Sequence, residues 1–215
     1  TIGVTSQFGL RMLTEIIPAY KKVFPQVTIE ITESNVPTLT RMILEEGIDC
    51  AVMALNCADA FAEEQVSLLR KEEVLFAVPA AHGYCLRNRT GIMTREELIH
   101  EFKDENFMLS KKGSTLRELA DRIFASAGFQ PSTMCETNSI IATRAMVAKG
   151  IGVTFIARSC VSDRENVAYY SLNPRMYRYN ALVRRKNLIQ NEPERALFQH
   201  IRGYFEGQDE DGPAD

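Results

Sequence analysis

Ile48-Asp49-Cys50-Ala51-Val52-Met53-Ala54-Leu55 is a nearly continuous apolar run, the pattern of a parallel strand covered on both faces. The residues before it decide the fold class. Ile2 to Thr5 is a short β-like run. Leu10, Leu13, Ile17, Tyr20 and Phe24 then recur at helical spacing and share one face. Val27, Ile29 and Ile31 alternate with Thr28, Glu30 and Thr32, the period of a strand. A second helix has Pro37 near its start and Gly47 just past its end, the usual asymmetry of start and stop signals. This β-α-β-α-β order predicts a parallel sheet with right-handed crossovers. Pro18 falls inside the first helical pattern and should kink it.

The middle third repeats the idea. Val74 to Pro79 reads as a strand ended by proline, and Thr94-Arg95-Glu96-Glu97 as a capping box. Phe107-Met108-Leu109 is a short strand leading into Ser110 to Thr115. Leu116, Leu119, Ala120, Ile123, Phe124 and Ala127 mark an amphipathic helix stopped by Gly128. A further helix spans Ser139 to Lys149 with Gly150 as its stop, and Ile151 to Ile156 is a buried strand. Tyr177 to Val183 is a late strand, Pro193 starts a final helix, and the acidic tail 207–215 should fray.

Composition removes several function classes. The chain has 215 residues, 45% hydrophobic, enough for a real core. No apolar run approaches the roughly 18–20 residues needed to cross a bilayer, so no membrane partner is expected. A net charge of −3 argues against these residues gripping a phosphate backbone. The basic, tyrosine-containing stretch Arg175 to Lys186 reads as an exposed edge strand guarded by charge. Five scattered cysteines without a C-x-x-C pair suit buried thiols in a reducing cytoplasm. The three histidines have no ligand partners at suitable spacing, so neither metal nor cofactor is expected. No nucleophile elbow, Walker loop or G-x-G-x-x-G is present, and no catalytic residue is assigned. Gly150-Ile151-Gly152 reads as a helix stop plus close packing.

Polar residues gather between strand C-termini and the next helix. Thr5, Ser6 and Gln7 follow the first strand, and Ser34 and Asn35 the second. Gly113, Ser114 and Thr115, then Thr137 and Asn138, do the same in the middle third. Open α/β sheets bind ligands beyond the carboxyl ends of their strands, and helix N-termini there offer free N–H groups and partial positive charge. Capping alone explains each residue singly. Their shared placement suggests a cleft for a small anion or carboxylate.

Several segments carry a family likeness. They are Phe24-Pro25-Gln26-Val27, Leu44 to Val52, Val78-Pro79-Ala80-Ala81-His82, Ala127 to Pro131, Glu136-Thr137-Asn138-Ser139 and Val147 to Val153. In order and spacing the chain resembles, over nearly its whole length, the effector-binding domain of LysR-type transcriptional regulators. The resemblance implies an α/β fold like a type II periplasmic binding protein: two Rossmann-like subdomains joined by two crossover strands. Subdomain I would span 1–77 and 181–207, and subdomain II 78–180. Effector would sit in the interdomain cleft, against the same turns named above. It also implies a homodimer of this domain, or a tetramer in the full-length protein. DNA would be bound only through an N-terminal winged helix-turn-helix absent from this chain. The location would be cytoplasmic. A transport solute-binding protein of the same architecture is the alternative reading. An enzyme on this fold would need a charged or nucleophilic cluster among the turns.

Overall fold

This computed structural model describes residues 1–57 and 59–207, with the side chains of Ser6 and Gln7 excepted. The tail expected to fray lies, beyond Gly207, outside the described residues. The chain divides into two compact units, Thr1–Arg70 with Tyr179–Asp215, and Lys71–Arg178.

In the first unit, β1 (Ile2–Val4) is followed by α1 (Ser6–Val23), β2 (Ile31–Glu33), α2 (Val36–Leu44) and β3 (Cys50–Leu55). β1 pairs in parallel with both β2 and β3, so Val4 lies opposite Glu33 and Val52. The parallel pairing expected from the sequence is present among β1, β2 and β3, but the sheet is mixed, since β3 pairs antiparallel with the strand Val167–Arg184. Pro18 sits inside α1, which nevertheless continues to Val23. The alternating stretch expected as a strand from Val27 enters the ladder only at Ile31. Val27 and Ile29 instead pack as half-buried side chains against a cluster that holds residues of α1 together with Leu197, Phe198 and Ile201.

Period-two alternation in β3 explains its apolar run. Cys50 and Val52 face a cluster with Leu13 and Tyr20 of α1, while Ala51, Met53 and Leu55 face one with Leu39 and Ile43 of α2. Each fully buried aliphatic or aromatic side chain contributes roughly 1.5–3 kcal/mol, so both faces hold the strand.

The second unit begins in β4 (Val66–Pro79) and continues through α3 (Gly83–Arg87), β5 (Ile92–Thr94), α4 (Arg95–Phe102), β6 (Asn106–Leu109) and α5 (Thr115–Ala127). Then come β7 (Ser132–Glu136), α6 (Ile140–Ala148), β8 (Thr154–Ala157) and the long β9 (Val167–Arg184). α7 (Glu192–Glu206) closes the chain and belongs to the first unit. The α3, β5 and β7 segments carry too little periodicity to be read from sequence. Within the second unit β4 pairs with β8, β5 with the first half of β9, and β6 in parallel with β7. Its core is aromatic: Phe76 meets Phe102 at 5.1 Å and Phe107 meets Phe124 at 5.0 Å between ring centroids.

The Thr94/Glu97 capping box, the left-handed stop at Gly128 (φ 74°) and the stop at Gly150 (φ 72°) form as expected. Gly152 is indeed a close-packing position, since a Cβ there would lie 2.2 Å from the Asn106 carbonyl oxygen.

One expectation is overturned. Arg175 to Lys186 is not an exposed edge, because β9 lies between β3 and β4 in the strand order. Arg178 is buried, and its Nε donates to Glu72 Oε2 at 2.8 Å. The guarding charge is an internal ion pair between residues 106 positions apart, a partner that no local pattern reveals.

Candidate functional site

In the first unit, register places the expected site residues at one sheet end. Thr5 and Ser34 follow directly on the paired residues Val4 and Glu33. The Thr5 N–H donates to Val52 O at 3.2 Å, and the Ser34 N–H to Val4 O at 3.2 Å. Thr5 occupies the N-cap position of α1, yet its side chain caps nothing. Its Oγ1 instead accepts from the Ala54 N–H at 3.4 Å. α1 therefore starts without the side-chain acceptor that would satisfy its first N–H groups. Gly9 lets this turn sit close to β1, since a Cβ there would lie 2.6 Å from the Val4 Cβ. Asn35 does cap its helix, accepting from the Thr38 N–H at 2.9 Å. The Ser6 and Gln7 side chains lie outside the described part. Asn56, just past β3, adds an amide at the same sheet end. The sequence reading missed it because it follows an apolar run with no helix start to mark it.

The second unit repeats the arrangement on the β6–β7 pair. Leu109 lies opposite Glu136, so the turns 110–115 and 137–139 are neighbours. The Thr137 N–H donates to Leu109 O at 3.0 Å. Asn138 Oδ1 accepts from the Lys111 N–H at 3.0 Å, tying one turn to the other. Ser114 caps α5 through the Arg117 N–H at 3.2 Å, and Ser139 caps α6 through the Ala142 N–H at 3.3 Å. Thr137 Oγ1 accepts from the Ser139 N–H at 3.1 Å. Gly113 adopts φ 82°, a left-handed turn position, and Thr115 is buried at the helix start. Arg117 holds the Glu136 carboxyl below its ordinary value through their hydrogen bond and charge attraction, with Lys112 and Lys111 adding to the effect.

These bonds carry a consistent polarity. Thr5, Ser114, Thr137 and Ser139 each accept a backbone N–H through the hydroxyl oxygen. A hydroxyl used this way still has its own proton to give. The Asn138 carbonyl oxygen is likewise engaged, and its NH2 still has protons to give. Both turn systems therefore present donors, and suit a ligand rich in acceptors. His82 joins neither system: its Nδ1 caps α3 by accepting from the Tyr84 N–H, and its ring stacks on Phe102.

A cavity of about 200 Å³ opens elsewhere in the first unit, lined by Ile2, Tyr20, Val27, Ile29, Leu197 and Phe198 among others. It lies at the amino ends of β1 and β3, the opposite ends from Thr5. Cys50 borders it with a thiol that burial pushes up to about 12. No thiolate chemistry is expected there.

Residues 1–206 match the family described as LysR substrate binding domain. The chain belongs to this family. Among curated relatives of this LysR domain is a probable RuBisCO transcriptional regulator of Trieres chinensis, 24% identical over 164 residues, covering 74% of this chain and 52% of the relative. The chain spans about half the length of the first such relatives. They are regulators by name, not enzymes, and the transport reading is not favoured. Among solved structures, the effector-binding domain of QuiR in complex with shikimate aligns with TM-score 0.73 at 19% identity, covering 96% of each chain. The BenM effector-binding domain with benzoate aligns with TM-score 0.71 at 22% identity, covering 99% of this chain and 94% of that one. This likeness establishes the fold as that of LysR effector-binding domains, type II periplasmic-binding-protein-like. No described helix is long and apolar enough to cross a membrane.

Proposed function

We propose that this LysR domain is the ligand-sensing part of a transcription regulator and binds a small anionic or carboxylate effector. The effector would be held in the interdomain cleft expected of the family, by Thr5, Ser6, Gln7, Ser34 and Asn35 on one side. Gly113, Ser114, Thr115, Thr137 and Asn138 would meet it from the other. The observation that carries this reading is the polarity of the strand-end turns, whose hydroxyl and amide groups have donors left over once their internal bonds are made. Shikimate and benzoate, the compounds named with two structural neighbours, are both carboxylates, which supports the class without fixing the compound. Ligand binding would act by preferring one conformation of the domain over another. DNA would be bound through a separate N-terminal winged helix-turn-helix, in keeping with the net charge of −3. A cytoplasmic homodimer, or a tetramer in the full-length protein, completes the proposal.

Titration of the 15N-labelled domain with shikimate, benzoate, inorganic phosphate and a panel of small carboxylates tests it. Saturable amide shifts at the Thr5, Ser114 and Thr137 turns are expected with at least one anion. Shifts confined to the Tyr20–Phe198 cavity, or saturable binding only of cations, would overturn it. Sedimentation showing only monomer at high concentration would remove the dimer.

A further inference from the structure

We infer that Arg117 is the positioning residue that brackets the two ligand turns of the second unit. It is the one described residue bonded to both ends of the first turn and to the edge of the second. Its backbone N–H donates to Ser114 Oγ, the helix cap at the turn's far end. Its Nη1 donates to Ser110 O at 3.2 Å, at the turn's first residue. The same Nη1 pairs with the Glu136 carboxylate, directly before Thr137. Nε donates to Asp121 Oδ1 at 2.8 Å, one helical turn on, which fixes the guanidinium plane. The side chain is only 11% exposed although both carboxylates are largely open to solvent.

The geometry needs arginine. Three acceptors on three segments are met by one planar fork, whereas an ammonium is a single point of charge on a flexible stem. β6 and β7 form a two-stranded sheet. β6 is also bonded to Val153 and Thr154, whereas β7 is a mostly exposed strand paired with β6, and a two-stranded pair holds its ends poorly by itself. Arg117 supplies the missing tie. With it in place, Asn138 can reach the Lys111 N–H and the Ser114 and Thr137 donors keep a fixed separation before any ligand arrives. That lowers the ordering cost of binding. Arg117 commits Nε and Nη1 to Asp121, Ser110 and Glu136, so in this proposal it acts through the turns and not on the ligand.

The role in ligand binding rests on the effector reading above, while the bracketing does not, and the test separates them. Amide exchange is followed by NMR on the 215-residue chain. In Arg117→Ala, exchange at Lys111 and Thr137 should quicken on the order of tenfold, while Ala120 and Phe124 in the same helix stay near their original rates. Arg117→Lys should fall between. Unchanged rates at Lys111 and Thr137, or equal acceleration along all of α5, would overturn the bracket and leave Arg117 an ordinary helix residue. The anion that shifts the wild-type turns is then titrated into Arg117→Ala: weakened binding supports the positioning role, and equal affinity overturns it. If none of the anions shifts the wild-type turns, the effector reading fails and the exchange rates still decide the bracket.

Discussion

The two units solve one problem, holding a polar turn at a strand end, by different means. In the first unit the turns hang on the ladder: Thr5 and Ser34 donate backbone N–H groups straight into β3 and β1. Three parallel strands in register make those ends rigid without help. In the second unit one backbone bond, Thr137 N–H to Leu109 O, reaches the sheet, and the rest of the turns hang on side chains, namely Ser114, Ser139, Asn138 and Arg117. The lesson is that rigidity can come from sheet width or from hydrogen-bonded side chains. Only the latter is undone by single substitutions away from the core.

The largest expected effect tests whether side-chain ties dominate the second unit. Glu72 is buried, and burial works to raise its pKa. Arg178 and the Ser159 N–H outweigh this and bring it down to about 2 from an ordinary 4.5. Glu72→Ala leaves Arg178 buried and unpaired and should cost about 3–5 kcal/mol. Amide exchange should accelerate in residues 71–178 more than elsewhere. A depressed carboxyl stabilises the fold above its unfolded pKa and loses that contribution as pH falls through the folded one. Stability measured by urea denaturation should therefore drop from about pH 5 towards pH 2, and Glu72→Gln should flatten that slope.

Next come two glycines. Gly152→Ala drives a Cβ onto a backbone oxygen of β6, and about 3 kcal/mol of destabilisation is expected. Gly3→Ala in the first unit meets the tips of Leu39 and Ile48 at 2.7 and 2.8 Å, and the Ala51 Cβ less closely at 3.2 Å. About 1 kcal/mol should suffice for those side chains to move aside. Equal costs in denaturant melts would break the contrast between a rigid backbone contact and a yielding side-chain one.

The smallest effects sharpen the comparison of caps. Ser114→Ala and Ser139→Ala remove true N-caps and should each cost about 1 kcal/mol. Thr5→Ala removes a hydroxyl that caps no helix, so a loss below about 0.5 kcal/mol is expected. Its consequence should appear in anion binding instead. A Thr5→Ala loss as large as that of Ser114→Ala would mean that the first turn depends on its side chain after all.

Much of this was legible in the sequence where the cause is local. Amphipathic stripes gave α1 and α5, the Thr94/Glu97 pair gave the start of α4, and Gly128 and Gly150 gave helix stops. The turn residues could be grouped in advance because each follows a strand and opens a helix. Legibility failed where weak local signals are rescued by neighbours. β7 is mostly exposed and lies outside any apolar pattern; its pairing with β6 makes it a strand. The first half of β4 likewise lacks the apolar run of its second half, and it is the later residues that the sequence marks.

What the sequence alone determined is the order of the strongly patterned strands and helices, without α3, β5 and β7, several of their caps and stops, and the ordered segments that carry the family likeness. These follow from period, φ preference and side-chain chemistry within a few residues. Tertiary structure decided which charges are buried and which turns are tied together. Glu72 with Arg178, and Arg117 with Ser110 and Glu136, join residues that only chain folding brings within hydrogen-bond distance. A lone arginine in sequence reads as a solvated charge, because its partner and its loss of water are both properties of the folded packing.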